Sequence, residues 1–163
     1  MASDPKACVT QIVFLDIDGV LNSVRWSRMP HERDISDEDP DNPKRRHSAL
    51  DPATIERLNN LIERTGAGVV VSSSWRIGRK TKVLQSILDS NGFRGRVVGK
   101  TGRASGRTRG HEISDWLDQR RGERPPLVIL DDRCDMADLH EHLVRVNPRV
   151  GLSAANVEAA VAI

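Results

Sequence analysis

The sequence predicts an α/β fold: a Rossmann-like, three-layer arrangement with a central, mainly parallel sheet and a minimal flap or cap insertion. Three observations carry that expectation. Apolar runs of four or five residues alternate with helical patterns, the rhythm of a parallel sheet covered by helices. Two of those runs, in VFLDIDGV and LVILDD, end in paired carboxylates. Two polar segments break the rhythm, one of them long enough to form a flap.

The first run, Ile12 to Leu15, reads as a strand that ends in Asp16 and Asp18. Side chains at i and i+2 point the same way along a strand, so these like charges meet unless a cation lies between them. In LDPATIERLNNLIERTG, Ile55, Leu58, Leu61 and Ile62 share one helical face, Asp51 can cap, Pro52 suits the first turn and Gly66 the stop. Val69 to Ser72 reads as a buried strand. TKVLQSILDSNG is a second amphipathic helix, through Val83, Leu84, Ile87 and Leu88 to Gly92. Val97 and Val98 form a short strand, and HEISDWLDQRRG is a helix that buries Ile113, Trp116 and Leu117. Leu127 to Leu130 is a strand ending in Asp131 and Asp132, Leu143 to Val146 an edge strand, and Ser153 caps a closing helix through Val157 and Val161.

At 163 residues and 37% hydrophobic, one globular domain over 1–163 is expected, with the insertion at about 23–48. No stretch approaches the roughly 20 apolar residues of a membrane helix, and the opening MASDPKACVTQIVF lacks the pattern of a secretory signal. Cys8 and Cys134 stand far apart, which suggests neither a disulfide framework nor a thiolate zinc site and fits a cytoplasmic protein. A net charge of +2 excludes a globally basic nucleic-acid coat. Within the insertion, six acids between Glu32 and Asp41 are followed by Lys44, Arg45 and Arg46. Such blocks read first as a solvated loop and, in the alternative, as a flap over the site. The second break, Arg94 to Arg109, holds six basic residues spaced by glycines. It too reads first as a loop, with a phosphate-rich ligand as the sharper alternative.

Ligands of open α/β sheets bind at the carboxyl ends of strands, where Asp16, Asp18, Asp131 and Asp132 all fall. Carboxylates this crowded call for a cation, and hard oxygen donors favour Mg²⁺ over zinc or copper. In GVVVSSSWR a strand runs straight into Ser72, Ser73 and Ser74, whose hydroxyls and amides suit phosphate oxygens.

These residues resemble the haloacid dehalogenase superfamily of phosphotransferases. DIDGV matches its first motif from Asp16 to Val20, the serines its second, and LVILDD its last. More narrowly, SSSWR, RGHEISDWL and VILDDRCDM look like the small domains of Swiss-army-knife RNA repair proteins, relatives of the 3′-phosphatase domain of phage polynucleotide kinase. The resemblance implies a catalytic set of Asp16, Asp18, Ser73 and Arg109. Asp16 is then the nucleophile that becomes an aspartyl phosphate, and Asp18 the acid that protonates the leaving oxygen and then activates water. Asp16, Asp18 (through its backbone carbonyl), Asp131 and Asp132 are the implied Mg²⁺ ligands. Ser73 best matches the phosphate-binding hydroxyl, with Ser72 still in the strand and Ser74 a candidate amide donor. The family also uses a cation, usually Lys, ahead of the last motif. Arg109, 22 residues before Asp131, is preferred, and Lys100, at 31, is the alternative.

Ser74, Trp75, Arg76 and Lys100 complete the candidate substrate contacts. Trp75 and Trp26 are candidates to stack a base and His47 to touch substrate, whereas Trp116 has core spacing. GRVVGKT is no P-loop, because Arg94 stands where glycine is required and Val97 and Val98 look like strand. His140 and His142, two apart, read as a surface helix end.

The expected function is a Mg²⁺-dependent phosphohydrolase that removes a 3′-terminal phosphate from nucleic acid. A small flap leaves the site open to a polymer end, an inference by fold analogy. A 5′-nucleotidase or other small-molecule phosphomonoesterase is the alternative, and a catalytically silent module that binds phosphorylated ends is the alternative from another class.

Overall fold

The computed structural model describes residues 9–29, 50–103 and 105–163. The expected flap beyond residue 29, with His47, therefore lies outside the described residues.

Five strands form one parallel sheet: β1 (Ile12–Leu15), β2 (Gly68–Val71), β3 (Val97–Lys100), β4 (Leu127–Asp131) and β5 (Leu143–Arg145). Their spatial order is β3-β2-β1-β4-β5, and all four pairings are parallel. The chain builds outward from β1 through β2 to β3, then crosses to the other side of β1 for β4 and β5. That reversal opens a crevice beyond the carboxyl ends of β1 and β4, the place where this class of sheet binds ligands.

Among the described residues the helices are α1 (Val24–Ser27), α2 (Pro52–Thr65), α3 (Thr81–Ser90), α4 (Arg109–Asp118) and α5 (Ala154–Ala162). The longest, α2, begins as its sequence dictates: the Asp51 carboxylate accepts from the Ala53 N–H, and Pro52 opens the first turn. It stops where Gly66 turns left-handed at φ 66°. A full capping box at Ser153 and Asn156 starts α5. Strand alternation divides the core into two layers. Val13, Leu15, Val69, Val71, Val128 and Leu130 pack into the cluster that also takes in Leu58 and Leu61 of α2, Leu84 and Leu88 of α3, and Val157 of α5. Ile12, Phe14, Val70 and Ile129 pack on the opposite face with Ile113 and Leu117 of α4. Trp116 joins this second layer with its ring edge-on to Phe14 at 5.4 Å, as its spacing predicts.

The differences from the sequence reading are small and local. The second strand ends at Val71, one residue early, so Ser72 lies just beyond it. Helix α4 begins at Arg109, two residues before His111. Strand β4 extends through Asp131 because that residue pairs with Arg145 of β5. The four-residue α1 and the 3₁₀ turns at Ser74–Arg76 and Ala137–His142 are too short for apolar periodicity to announce them; the second of these turns holds His140 and His142. Val97–Lys100 is a strand, so GRVVGKT forms no phosphate loop. Among the described residues, no helix is long and apolar enough to cross a membrane.

Candidate active site

Strand register assembles the site. Leu15 lies opposite Val71 on one side and Leu130 on the other. The next residues therefore come together: the Asp16 N–H donates to the Leu130 carbonyl at 2.9 Å, and the Ser72 N–H to the Leu15 carbonyl at 2.9 Å. Asp16 and Asp131 are buried, at 5% and 0% exposure, and Asp132 is half-buried. One carboxylate oxygen from each of these three lies within 4.8 Å of the others. Gly19 makes the approach of Asp132 possible. It sits at φ 82°, and a Cβ there would stand 3.0 Å from the Asp132 carboxyl carbon.

Arg109, the first residue of α4, faces the cluster from the opposite layer. Its Nη1 is 3.8 Å from Asp16 Oδ1 and its Nε 3.5 Å from Asp131 Oδ2. Neither Arg109 Nη1 nor Asp131 Oδ2 has a hydrogen-bond partner among the described residues, whereas Asp131 Oδ1 accepts from the Arg133 N–H at 2.9 Å. Burial, then the Asp131 charge, pushes the Asp16 carboxyl up to about 7, against the pull of Arg109. Burial likewise pushes Asp131 up to about 6, with Arg109 opposing. Two buried acids that resist ionisation, with an unsatisfied oxygen between them, fit a site that takes a further cation. Their all-oxygen donor set suits Mg²⁺.

Helix α4 is held in place by Gly110. Its N–H donates to the Asp135 carbonyl at 3.0 Å, and a Cβ there would fall 2.0 Å from the Met136 carbonyl carbon. We expect Gly110→Ala to force α4 off the Asp135–Ala137 backbone, destabilising the fold by about 1–3 kcal/mol or more and displacing Arg109. Urea unfolding of the variant measures the first effect and phosphate release the second.

A family model described as "HAD domain in Swiss Army Knife RNA repair proteins" matches residues 12–157. The chain belongs to that family of HAD domains. It is accordingly a phosphatase of the HAD type. No curated protein matches it. A chain in the solved structure of a Pnkp1/Rnl/Hen1 complex is similar over 89% of this HAD domain, at 16% identity and a TM-score of 0.49. The match covers 48% of that chain, so the HAD domain spans about half its length.

The other residues that the sequence singled out are placed as follows. Asp18 stands apart from the other three carboxylates: exposed, it accepts from both the Trp75 indole N–H, at 3.0 and 3.1 Å, and the Asn22 side-chain amide, at 2.8 Å. Trp75 is 3% exposed and belongs to the core, so it offers no platform for a base; apolar burial outweighs its position beside the serines. Arg76 is interior as well. Its guanidinium donates to the carbonyls of Ser72, Ser73, Thr101 and Gly102 and pairs with Glu112 at 2.7 Å, so it braces the serine loop and has no hand free for substrate. The Ser73 hydroxyl accepts from the Trp75 N–H at 3.3 Å and caps the 3₁₀ turn. The buried Ser72 hydroxyl has no hydrogen-bond partner among the described residues, and Ser74 is exposed. Lys100 Nζ bonds the carbonyls of Arg79, at 2.5 Å, and Arg76, at 3.4 Å, and pairs with no carboxylate among the described residues. Of the two cations left open by spacing, only Arg109 meets Asp16 and Asp131. Trp26 is half-buried in α1.

The basic stretch from Arg94 to Arg109 does not form one patch. Arg94 is locked by Glu56 and Glu63, Arg107 by Asp115, and Lys100 and Arg109 turn inward as described. Sequence reasoning missed Glu112 and Gly110 altogether. Arg76 and Glu112 lie 36 positions apart, and no local pattern announces such a pair. A glycine directly after Arg109, at the start of a helix, was the one available signal for close backbone approach.

Proposed function

We propose that this HAD domain hydrolyses a terminal phosphate of nucleic acid, at the 3′ end, through an aspartyl phosphate on Asp16 and with Mg²⁺. The observation that supports it most is the constellation at the ends of β1 and β4: a buried carboxylate nucleophile flanked by a second acid and an inward-facing arginine. Asp16 attacks phosphorus, and the P–O bond to the leaving sugar oxygen breaks. Asp18, on the same strand end, hands that oxygen a proton and later takes one from the attacking water, which frees phosphate and regenerates Asp16. Trp75 and Asn22 orient the Asp18 carboxyl for both transfers. Arg109 faces the charge that collects on the transferring group. The Ser72 and Ser73 hydroxyls lie one strand away; Ser72, whose oxygen has no other bond among the described residues, is the stronger phosphate donor of the two. Asp16, Asp131, Asp132 and the Asp18 carbonyl would hold Mg²⁺, which when bound offsets negative charge on the phosphoryl oxygens. The whole of 1–163 works as one domain in this reading, with the insertion at 23–48 as its flap.

The nucleic-acid part of the reading rests on the family to which the chain belongs. One observation favours a small phosphomonoester instead: Arg94 and Arg107, two of the six basic residues in the stretch expected to bind a polymer, are engaged in internal ion pairs. Phosphate release from 3′- and 5′-phosphorylated oligonucleotides, mononucleotides and sugar phosphates separates the two. We expect preferential release from the 3′-phosphorylated oligonucleotide, loss of activity in EDTA and recovery with Mg²⁺. Release from mononucleotides alone overturns the polymer substrate, and activity that persists without divalent metal overturns the cofactor.

A further inference from the structure

Four arginines on the opposite side of the crevice from β2 and β3 assemble a basic rim that no local run of sequence contains. Arg25 and Arg28 come from α1, and Arg145 and Arg149 from the end of β5 and the turn that follows. All four are exposed. None forms an ion pair with a described residue, in contrast with Arg64, Arg94, Arg107 and Arg124, each clamped by a carboxylate.

Backbone bonds hold the two segments together. The Val24 N–H donates to the Pro148 carbonyl at 2.9 Å and the Arg25 N–H to the Arg149 carbonyl at 3.1 Å. The rim also adjoins the carboxylate cluster. Arg145 Nε donates to the Asp132 carbonyl at 3.2 Å, and a Cβ on Gly19 would lie 3.1 Å from Pro148 and 3.0 Å from the Asp132 carboxyl group. Beside it, a cavity of about 420 Å³ is lined by Arg25, Trp26, Arg57 and Val150. Its acid, Asp51, is already engaged as the cap of α2.

Exposed guanidiniums that pair with no carboxylate among the described residues, on two segments bonded together next to a phosphatase site, suit successive phosphates of a chain, because each planar fork binds phosphate oxygens in a bidentate manner. We propose that Arg25, Arg28, Arg145 and Arg149 form the track for the phosphodiester backbone of a single-stranded nucleic acid whose terminal phosphate enters the crevice. This inference rests on the nucleic-acid reading above and adds the surface that would make a polymer preferred over a mononucleotide.

The test compares wild type with an Arg25→Gln/Arg28→Gln/Arg149→Gln variant and with an Arg94→Gln/Arg107→Gln/Arg124→Gln variant, which removes equal charge elsewhere. Each is assayed on a 3′-phosphorylated oligonucleotide, as RNA and as DNA, and on a 3′-mononucleotide across a salt series. For the rim variant we expect the oligonucleotide-to-mononucleotide ratio of kcat/KM to fall about tenfold or more. The log–log salt slope of the oligonucleotide reaction should flatten by about 2, near 0.7 for each single-strand phosphate deprived of its arginine. The other variant should keep both values. An oligonucleotide preference that survives in the rim variant, or that falls equally in both variants, overturns the rim alone. Wild-type activity confined to mononucleotides overturns the nucleic-acid reading itself.

Discussion

Asp16→Asn is expected to lower phosphate release by about 10⁴-fold or more, the scale on which removal of a nucleophile acts, while making the metal-free protein more stable. The stability effect is electrostatic in origin. Burial and the neighbouring Asp131 raise the Asp16 carboxyl from its ordinary 3.8 to about 7. In the unfolded chain the group ionises near 4, whereas in the fold it keeps its proton until about 7. Between those limits the folded state binds more protons, so stability from this group is fully present below about pH 4 and is lost as pH rises toward 7. Asp131, raised to about 6, acts in the same direction. Urea unfolding of the metal-free wild type should show stability declining from about pH 4 to 7, and the asparagine variant a shallower decline. Mg²⁺ should reverse the trend, because it binds the ionised carboxylates of the folded state. A wild type equally stable at both ends of that range without metal would refute this account of the site's electrostatics.

Arg109→Ala is expected to lower kcat by about 10²- to 10³-fold, comparable to loss of one preorganised donor at a charge-developing centre. It leaves Asp16 and Asp131 facing each other without the cation that lies 3.8 Å from one and 3.5 Å from the other. Both carboxyls should then titrate higher still, and the acid limb of the pH–rate profile should move upward. Arg109→Lys restores a charge without the planar fork and should recover part of the rate and most of that pH shift. If the lysine variant matched the alanine variant in rate and in profile, the guanidinium would have a packing role rather than an electrostatic one. Gly110→Ala, which displaces α4 but keeps the arginine, separates position from charge.

The elements of this HAD domain were legible wherever a local rule applied. Apolar runs marked all five strands, Asp51, Pro52 and Gly66 bounded α2, and DIDGV with LVILDD placed acids at two strand ends. Residues whose neighbours come from distant segments were not legible. Trp75 and Arg76 follow the serines and so read as substrate contacts, yet the fold turns one into the core and the other onto four carbonyls and Glu112. Strand β2 likewise ends one residue earlier than its sequence suggests, and it is the Ser72 hydroxyl that has no partner among the described residues.

By itself the sequence determined the order of the strands and of the longer helices, the family and the identity of the paired acids, because periodicity, caps and short motifs act over a few residues. Only the tertiary structure decided that three of the four carboxylates converge, that Arg109 rather than Lys100 faces them, and which arginines beside the crevice form no ion pair with a described residue. Those outcomes depend on register between β1 and β4, on the close approach allowed by Gly19 and Gly110, and on ion pairs between residues tens of positions apart. Charge and packing are settled by neighbours in space, and the chain brings those neighbours together only when it folds.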